Sequence, residues 1–209
     1  MTFTIYHSCV ARPVMRMLLE DYGDVCRQGA LWTPSKFTPI DVPWVLDNGA
    51  YSEYKSDRGW DRDGWFKVLS KAKRFVNQGK VPEPEFVVVP DYVGSADISY
   101  ERSEEHRRYI PDKWEAFLAV QDGMDVDEAL DVADSLDCSG IFVGGSIKWK
   151  HQMMNQFIER ADKCHVARPS GLNGIRMAMG MGADSVDTST IVCNENWHYF
   201  DHLGGSSLL

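Results

Sequence analysis

The chain has 209 residues, 44% of them hydrophobic and 25% charged, with a formal net charge of −9 and a pI near 5.1. That composition suits a globular protein long enough to bury a sizeable core in one domain, residues 1–209, and the acidic balance argues against a generic nucleic-acid coat protein while leaving room for a local basic patch. No run approaches the roughly 18 apolar residues of a membrane span, no signal peptide is read at the N-terminus, and the five cysteines (Cys9, Cys26, Cys138, Cys164 and Cys193) form neither a disulfide framework nor a zinc signature, which fits a reducing cytoplasm.

In chain order, Thr2 to His7 alternates like a strand. Pro13 to Tyr22 carries Val14, Met17, Leu18 and Tyr22 at helical spacing, with Pro13 in the first turn. A short strand is expected near Gly29 to Thr33, then a loop with three prolines. Trp44-Val45-Leu46 is a brief apolar run that ends in the turn residues Asp47-Asn48-Gly49. After a charged, turn-rich insert at Gly59 to Gly64, Trp65 to Asn77 has the period of a helix. Glu85 to Val89 holds three consecutive valines without alternation, the mark of a parallel strand covered on both faces. From there the pattern repeats: helix at Ser99–Tyr109, strand at Glu115–Val120, helix at Asp125–Leu136, strand at Gly140–Val143, helix at Trp149–Ala161, strand at Lys163–Ala167, helix at Leu172–Met181, and a last strand in Asp184 to Thr190. Seven or eight strand-then-helix units imply parallel pairing with right-handed crossovers. The fold expected is a compact (β/α)₈ barrel of the TIM type, with a doubly wound open sheet as the alternative. Neither G-x-G-x-x-G after the first strand nor a phosphate-binding G-x-x-x-x-G-K-[ST] occurs, so no nucleotide cofactor is read.

The strand ends carry polar residues: His7, Asp47, Asp91, Gln121, Gly144-Gly145, Arg168 and Asp187. In a barrel these would converge on one mouth. Carboxylates and a carboxamide suit the hydrogen-bonding edge of a planar heterocycle, and a glycine pair lets a flat ligand approach the backbone. Two carboxylates flanking a sugar would serve as nucleophile and acid/base; the same carboxylates would alternatively hold Mg²⁺. Lys148, Lys150 and Arg168 lie on or just after strand-end loops where phosphates would meet them, and Trp149 sits between the two lysines.

Five short segments resemble motifs of the tRNA-guanine transglycosylases. Asp47-Asn48-Gly49-Ala50-Tyr51 is similar to that family's Asp-Ser-Gly-Gly-aromatic segment, Val89-Pro90-Asp91 to its base-recognising Asp, and Val120-Gln121-Asp122-Gly123 to its Val-Gln-Gly. Val143-Gly144-Gly145-Ser146 is similar to Gly-Gly-Leu, and Asp184-Ser185-Val186-Asp187 to the Asp-x-x-Asp that ends in the nucleophile. Only Cys193, His198 and His202 follow Asp187, too few for the zinc site of the tRNA enzymes, so the chain looks more like a compact, zinc-less branch that inserts 7-deazaguanine bases into phage or bacterial DNA.

The resemblance implies a pentosyltransferase in the cytoplasm, that of the host if phage-encoded. Asp187 would attack C1′ of a guanosine in DNA, Asp47 would be the general acid/base, and Asp91, Gln121, Gly144 and Gly145 would read the base. Tyr51 would stack on the base, with Asn48 and His7 as further substrate contacts, and Lys148, Lys150 and Arg168 would touch the nucleic acid. An incoming base such as 7-cyano-7-deazaguanine would release Asp187 without cofactor or metal, with helper proteins opening a duplex. Action on tRNA is the nearest alternative. From a different class, a metal-dependent barrel lyase or hydrolase on a small molecule is the other reading; a non-catalytic relative ranks last, because all three aspartates are present.

Overall fold

The computed structural model describes residues 3–8, 10–56 and 59–204; Thr2 and Cys9, named above, lie outside them. Eight parallel strands close a barrel in sequence order: β1 (Thr4–Ser8), β2 (Arg27–Trp32), β3 (Trp44–Leu46), β4 (Phe86–Val88), β5 (Ala116–Val120), β6 (Gly140–Val143), β7 (Cys164–Val166) and β8 (Ser185–Thr188). Pairing of β1 with β8, Thr4 opposite Ser185 through His7 opposite Thr188, completes the ring. The helices α1 (Arg12–Tyr22), α3 (Arg62–Asn77), α4 (Ala96–Arg107), α5 (Val126–Ser135), α6 (Ile147–Arg160) and α7 (Gly171–Met181) cover the outside, with short α2 (Ala50–Ser56), α8 (Thr190–Cys193) and α9 (Tyr199–Gly204) on the strand-end loops and the tail.

The apolar runs are continuous because both faces of each strand are buried, and alternation sorts their residues into two cores. In β5, Phe117 and Ala119 point inward, while Ala116, Leu118 and Val120 join the larger core beneath the helices. Inside the barrel, Phe86 stacks on Phe117 at 4.0 Å and Tyr6 meets Phe86 edge-on at 5.9 Å. Two glycines make room for these rings: a Cβ at Gly29 would stand 2.6 Å from the Tyr6 ring, and one at Gly140 would stand 2.7 Å from the Phe117 ring. Helix starts follow ordinary capping chemistry, with Asp61, Ser95, Asp125 and Ser146 accepting first-turn N–H groups, and α7 ends in Gly182 at φ +94°.

The turn residues Asp47 to Gly49 stay irregular, as expected, and the unanticipated helix α2 begins at Ala50. The Asn48 side chain accepts the Ala50 N–H at 2.8 Å and starts the helix after a three-residue turn, Asp47 to Gly49.

Candidate active site

Three of the predicted residues build the rim together: Asn48, Asp91 and Gln121. Asn48, from the β3 loop, donates through Nδ2 to the Val89 carbonyl (2.9 Å) and to Asp91 Oδ1 (2.7 Å). Gln121, at the end of β5, donates to Asp91 Oδ2 (2.9 Å) and to the Tyr92 carbonyl (2.6 Å), and its Oε1 accepts from Gly94 N–H. A closed network therefore ties the ends of β3, β4 and β5, with Asp91 at its centre and only 7% exposed. Burial pushes the Asp91 carboxyl up to about 6, and the Asp47 carboxylate opposes ionisation further, against the Asn48 hydrogen bond. Asp47 accepts from Gly49 N–H at 3.1 Å. Burial raises it as well, the charge of Asp187 adds to the rise, and Arg168 works against it. Asp47 thus stands electrostatically between Asp91 and Asp187.

The folded protein holds the Asp91 proton more tightly than the unfolded chain, in which an Asp titrates near 3.9. The contribution of this group is intact below about pH 4 and is lost as the pH rises to 6 and beyond, by ~3 kcal/mol in all. Urea unfolding of the wild type and Asp91→Asn at pH 4 and pH 7 checks this: the wild type should lose about 2 kcal/mol relative to the variant over that interval, and an unchanged difference would contradict the raised Asp91 carboxyl.

Asp187 lies inward on β8 and is 3% exposed. Its Oδ1 accepts from the Arg168 backbone N–H at 3.1 Å and from His165 Nε2 at 3.1 Å. With Nε2 donating, His165 Nδ1 accepts from the Ser185 hydroxyl at 2.8 Å, which fixes the tautomer. The imidazole is wholly buried, stacked on Phe142 at 4.9 Å, with Phe86 edge-on at 5.2 Å. His165 is the site residue that the sequence reading missed. Its signal was the alternation Cys164 out, His165 in, Val166 out, Ala167 in, which pairs it with Ser185 across the register.

Other predicted contacts fall elsewhere. His7 points outward from β1: Nε2 meets Gln28 Oε1 at 2.7 Å, the ring packs 6.4 Å from Phe200 of α9, and it is wholly buried away from the mouth. Strand parity decides this, since Tyr6 takes the inward position. Gly145, at φ +74°, is required by packing, because a Cβ there would strike Asp122 at 2.7 Å and Trp149 at 2.9 Å. Gly144 continues the sheet by donating to the Val120 carbonyl. Tyr51 is 36% exposed, and the Arg168 guanidinium lies on its ring 3.3 Å from the centroid. Lys148 is exposed, whereas Lys150 is 4% exposed and donates to the Ala167 and Arg168 carbonyls. Among the described residues no three His, Cys, Asp or Glu side chains come together in a group that could hold a metal ion.

A cavity of about 360 Å³ opens at the opposite, N-terminal end of the barrel. Its cations are already paired, Arg27 with Glu85, Lys113 with Glu83 and Lys163 with Glu115. In barrels of this kind that face serves stability and the strand C-terminal face serves chemistry.

No protein-family model matches the chain, and no curated protein matches it in sequence. Among solved structures, a 3-hexulose-6-phosphate synthase is 9% identical at a TM-score of 0.50, covering 98% of each chain. The 3-hexulose-6-phosphate synthase of Salmonella typhimurium is 8% identical at a TM-score of 0.48, again over 98% of each chain. A protein designated KDPGal, in its native form, is 6% identical at 0.44, covering 90% of this chain and 82% of its own. At such identities the likeness is one of fold. The solved barrel that reaches a TM-score of 0.50 is a 3-hexulose-6-phosphate synthase and not a guanine transglycosylase, and the family assignment is corrected accordingly. With it fall the pentosyltransferase activity, DNA or tRNA as substrate, the 7-deazaguanine donor and the helper proteins. The physical reason lies in the motifs themselves. Asn48 starts α2, Asp122 binds the Ser146 N–H and hydroxyl at 2.6 Å each, and Gly145 relieves a clash with Asp122, so these segments meet packing needs within and between neighbouring strand-end loops. Lys150, buried on backbone carbonyls, offers nothing to a phosphate. No helix among the described residues is long and apolar enough to cross a membrane.

Proposed function

We propose that this chain is an acid–base barrel enzyme of the lyase type, acting on a small carbonyl compound at the C-terminal mouth. The observation that carries the reading is the contrast between carboxylates at one site: Asp91 is buried and pushed up to about 6, whereas Asp187 accepts two N–H groups on one oxygen. Paired carboxyls in unlike environments divide acid from base work. Asp187, oriented by His165 and the Arg168 amide, takes a proton from a substrate hydroxyl. The adjacent carbon–carbon bond breaks, and its electron pair moves to the carbonyl as an enolate. Protonated Asp91 returns a proton to that carbon, and Asp47 relays the proton between the two carboxyls. The Arg168 guanidinium, held on Tyr51, supplies the positive charge that a developing enolate oxygen requires. This reading uses side chains alone.

The test is deuterium exchange. Incubated in D₂O with a panel of hydroxyketones, 2-oxo acids and their phosphates, the protein should exchange or cleave at the carbon next to the carbonyl of at least one compound, seen by proton NMR. A panel that shows neither, with folded protein, would count against enolate chemistry at this mouth.

A further inference from the structure

We infer that Lys150 is a positioning residue: its ammonium holds the Ala167–Arg168 turn in a left-handed shape that aims the Arg168 N–H at Asp187. Lysine is almost never fully buried without a charged partner, yet Lys150 of α6 is 4% exposed and both hydrogen bonds recorded for its Nζ go to backbone carbonyls, Ala167 at 2.5 Å and Arg168 at 3.1 Å. Burial first, and the Arg168 charge second, lower this ammonium to about 8, a cost that the turn must repay in function or order.

The turn needs a hold. Arg168 has φ +43°, a region that side-chain-bearing residues adopt at a cost of roughly 1–2 kcal/mol. It also precedes Pro169, a context that favours extended backbone. What this conformation achieves is specific. The Arg168 N–H reaches Asp187 Oδ1 at 3.1 Å while the Ala167 carbonyl of the same peptide accepts from Lys150 at 2.5 Å, so one peptide unit links the buried ammonium to the carboxylate. The Arg168 side chain, lying on Tyr51, anchors the turn from the solvent side. Lys150 therefore acts on Asp187 through this hydrogen-bonded peptide, in addition to the direct attraction between their charges.

The inference concerns the geometry of the proposed site and is tested without a substrate, so its failure is separable from failure of the lyase reading. Lys150→Met keeps an unbranched side chain as far as Cε and removes the donor. Hydrogen exchange read by ¹⁵N NMR should show the position-168 amide exchanging at least tenfold faster in that variant, with the Val120 amide of β5 unchanged. Arg168→Gly accepts positive φ without strain, so adding it to Lys150→Met should restore protection of the same amide. If Lys150→Met does not fold but the double variant does, the inference stands. Unchanged exchange at position 168 in a folded Lys150→Met would overturn it. A general loss of protection, or failure of both variants to fold, would equally overturn it, by making Lys150 a packing residue only.

Discussion

Asp187→Asn is expected to lower turnover roughly 10²–10⁴-fold, the range that general acid–base groups contribute, while leaving the barrel folded. The substitution preserves shape. An asparagine can keep its carbonyl oxygen toward the Arg168 N–H and His165 Nε2, the two donors that now share Oδ1. What it removes is the basic oxygen and the negative charge that Asp47 feels beside it. Asp47 should accordingly titrate lower in the variant, which a carboxyl ¹³C titration would show even before a substrate is known. The measurement pairs initial rates on whichever compound exchanges in D₂O with a thermal melt monitored by circular dichroism. Retention of rate would remove Asp187 from the chemistry, and collapse of the melt would mean that its hydrogen bonds serve the fold first.

Gly140→Ala is expected to cost about 3 kcal/mol of stability, at the upper end of ordinary overpacking. The added Cβ would lie 2.7 Å from two atoms of the Phe117 ring and 2.9 Å from the Lys163 carbonyl. The ring cannot simply step aside, because it stacks on Phe86 at 4.0 Å with the planes 6° apart. Phe86 in turn meets His165 edge-on, so pressure at the barrel floor reaches the group that orients Asp187. The urea midpoint should fall with the slope unchanged, and Phe117→Leu in the same chain should recover a substantial part of the loss. An unaltered midpoint for Gly140→Ala would show that the inner aromatic layer is looser than these contacts require.

Much of the fold was legible from local signals. Three valines in a row at Val87 to Val89 mark a strand covered on both faces, and strand-then-helix repetition demands parallel pairing. The candidate site was legible in part. Asp47, Asp91, Gln121 and Asp187 stand at strand ends because a strand must stop in polar or turn residues where it leaves the sheet. Their identities alone do not tell which face each occupies. His7 illustrates this: it is placed at the end of β1 by its sequence and then turned toward α9 by parity with Tyr6. His165 illustrates the converse, an unremarkable residue of a short strand that pairing with Ser185 carries to Asp187. The family resemblance failed for a related reason. Segments of three to five residues at strand ends are shaped by packing within and between neighbouring loops, as Asn48, Asp122 and Gly145 show, and chains with different chemistry can share them.

By itself, then, the amino-acid sequence determined the period of each segment, the parallel strand–helix order and the polar character of the strand ends, because these depend on residues a few positions apart. Only closure of the barrel decided which side of each strand faces inward, that the loops of β3, β4 and β5 join through Asp91, and that Lys150 is buried beneath the Arg168 turn rather than offered to solvent. Those outcomes depend on register between strands far apart in the chain, and a shift of one residue would exchange every inward side chain for its neighbour.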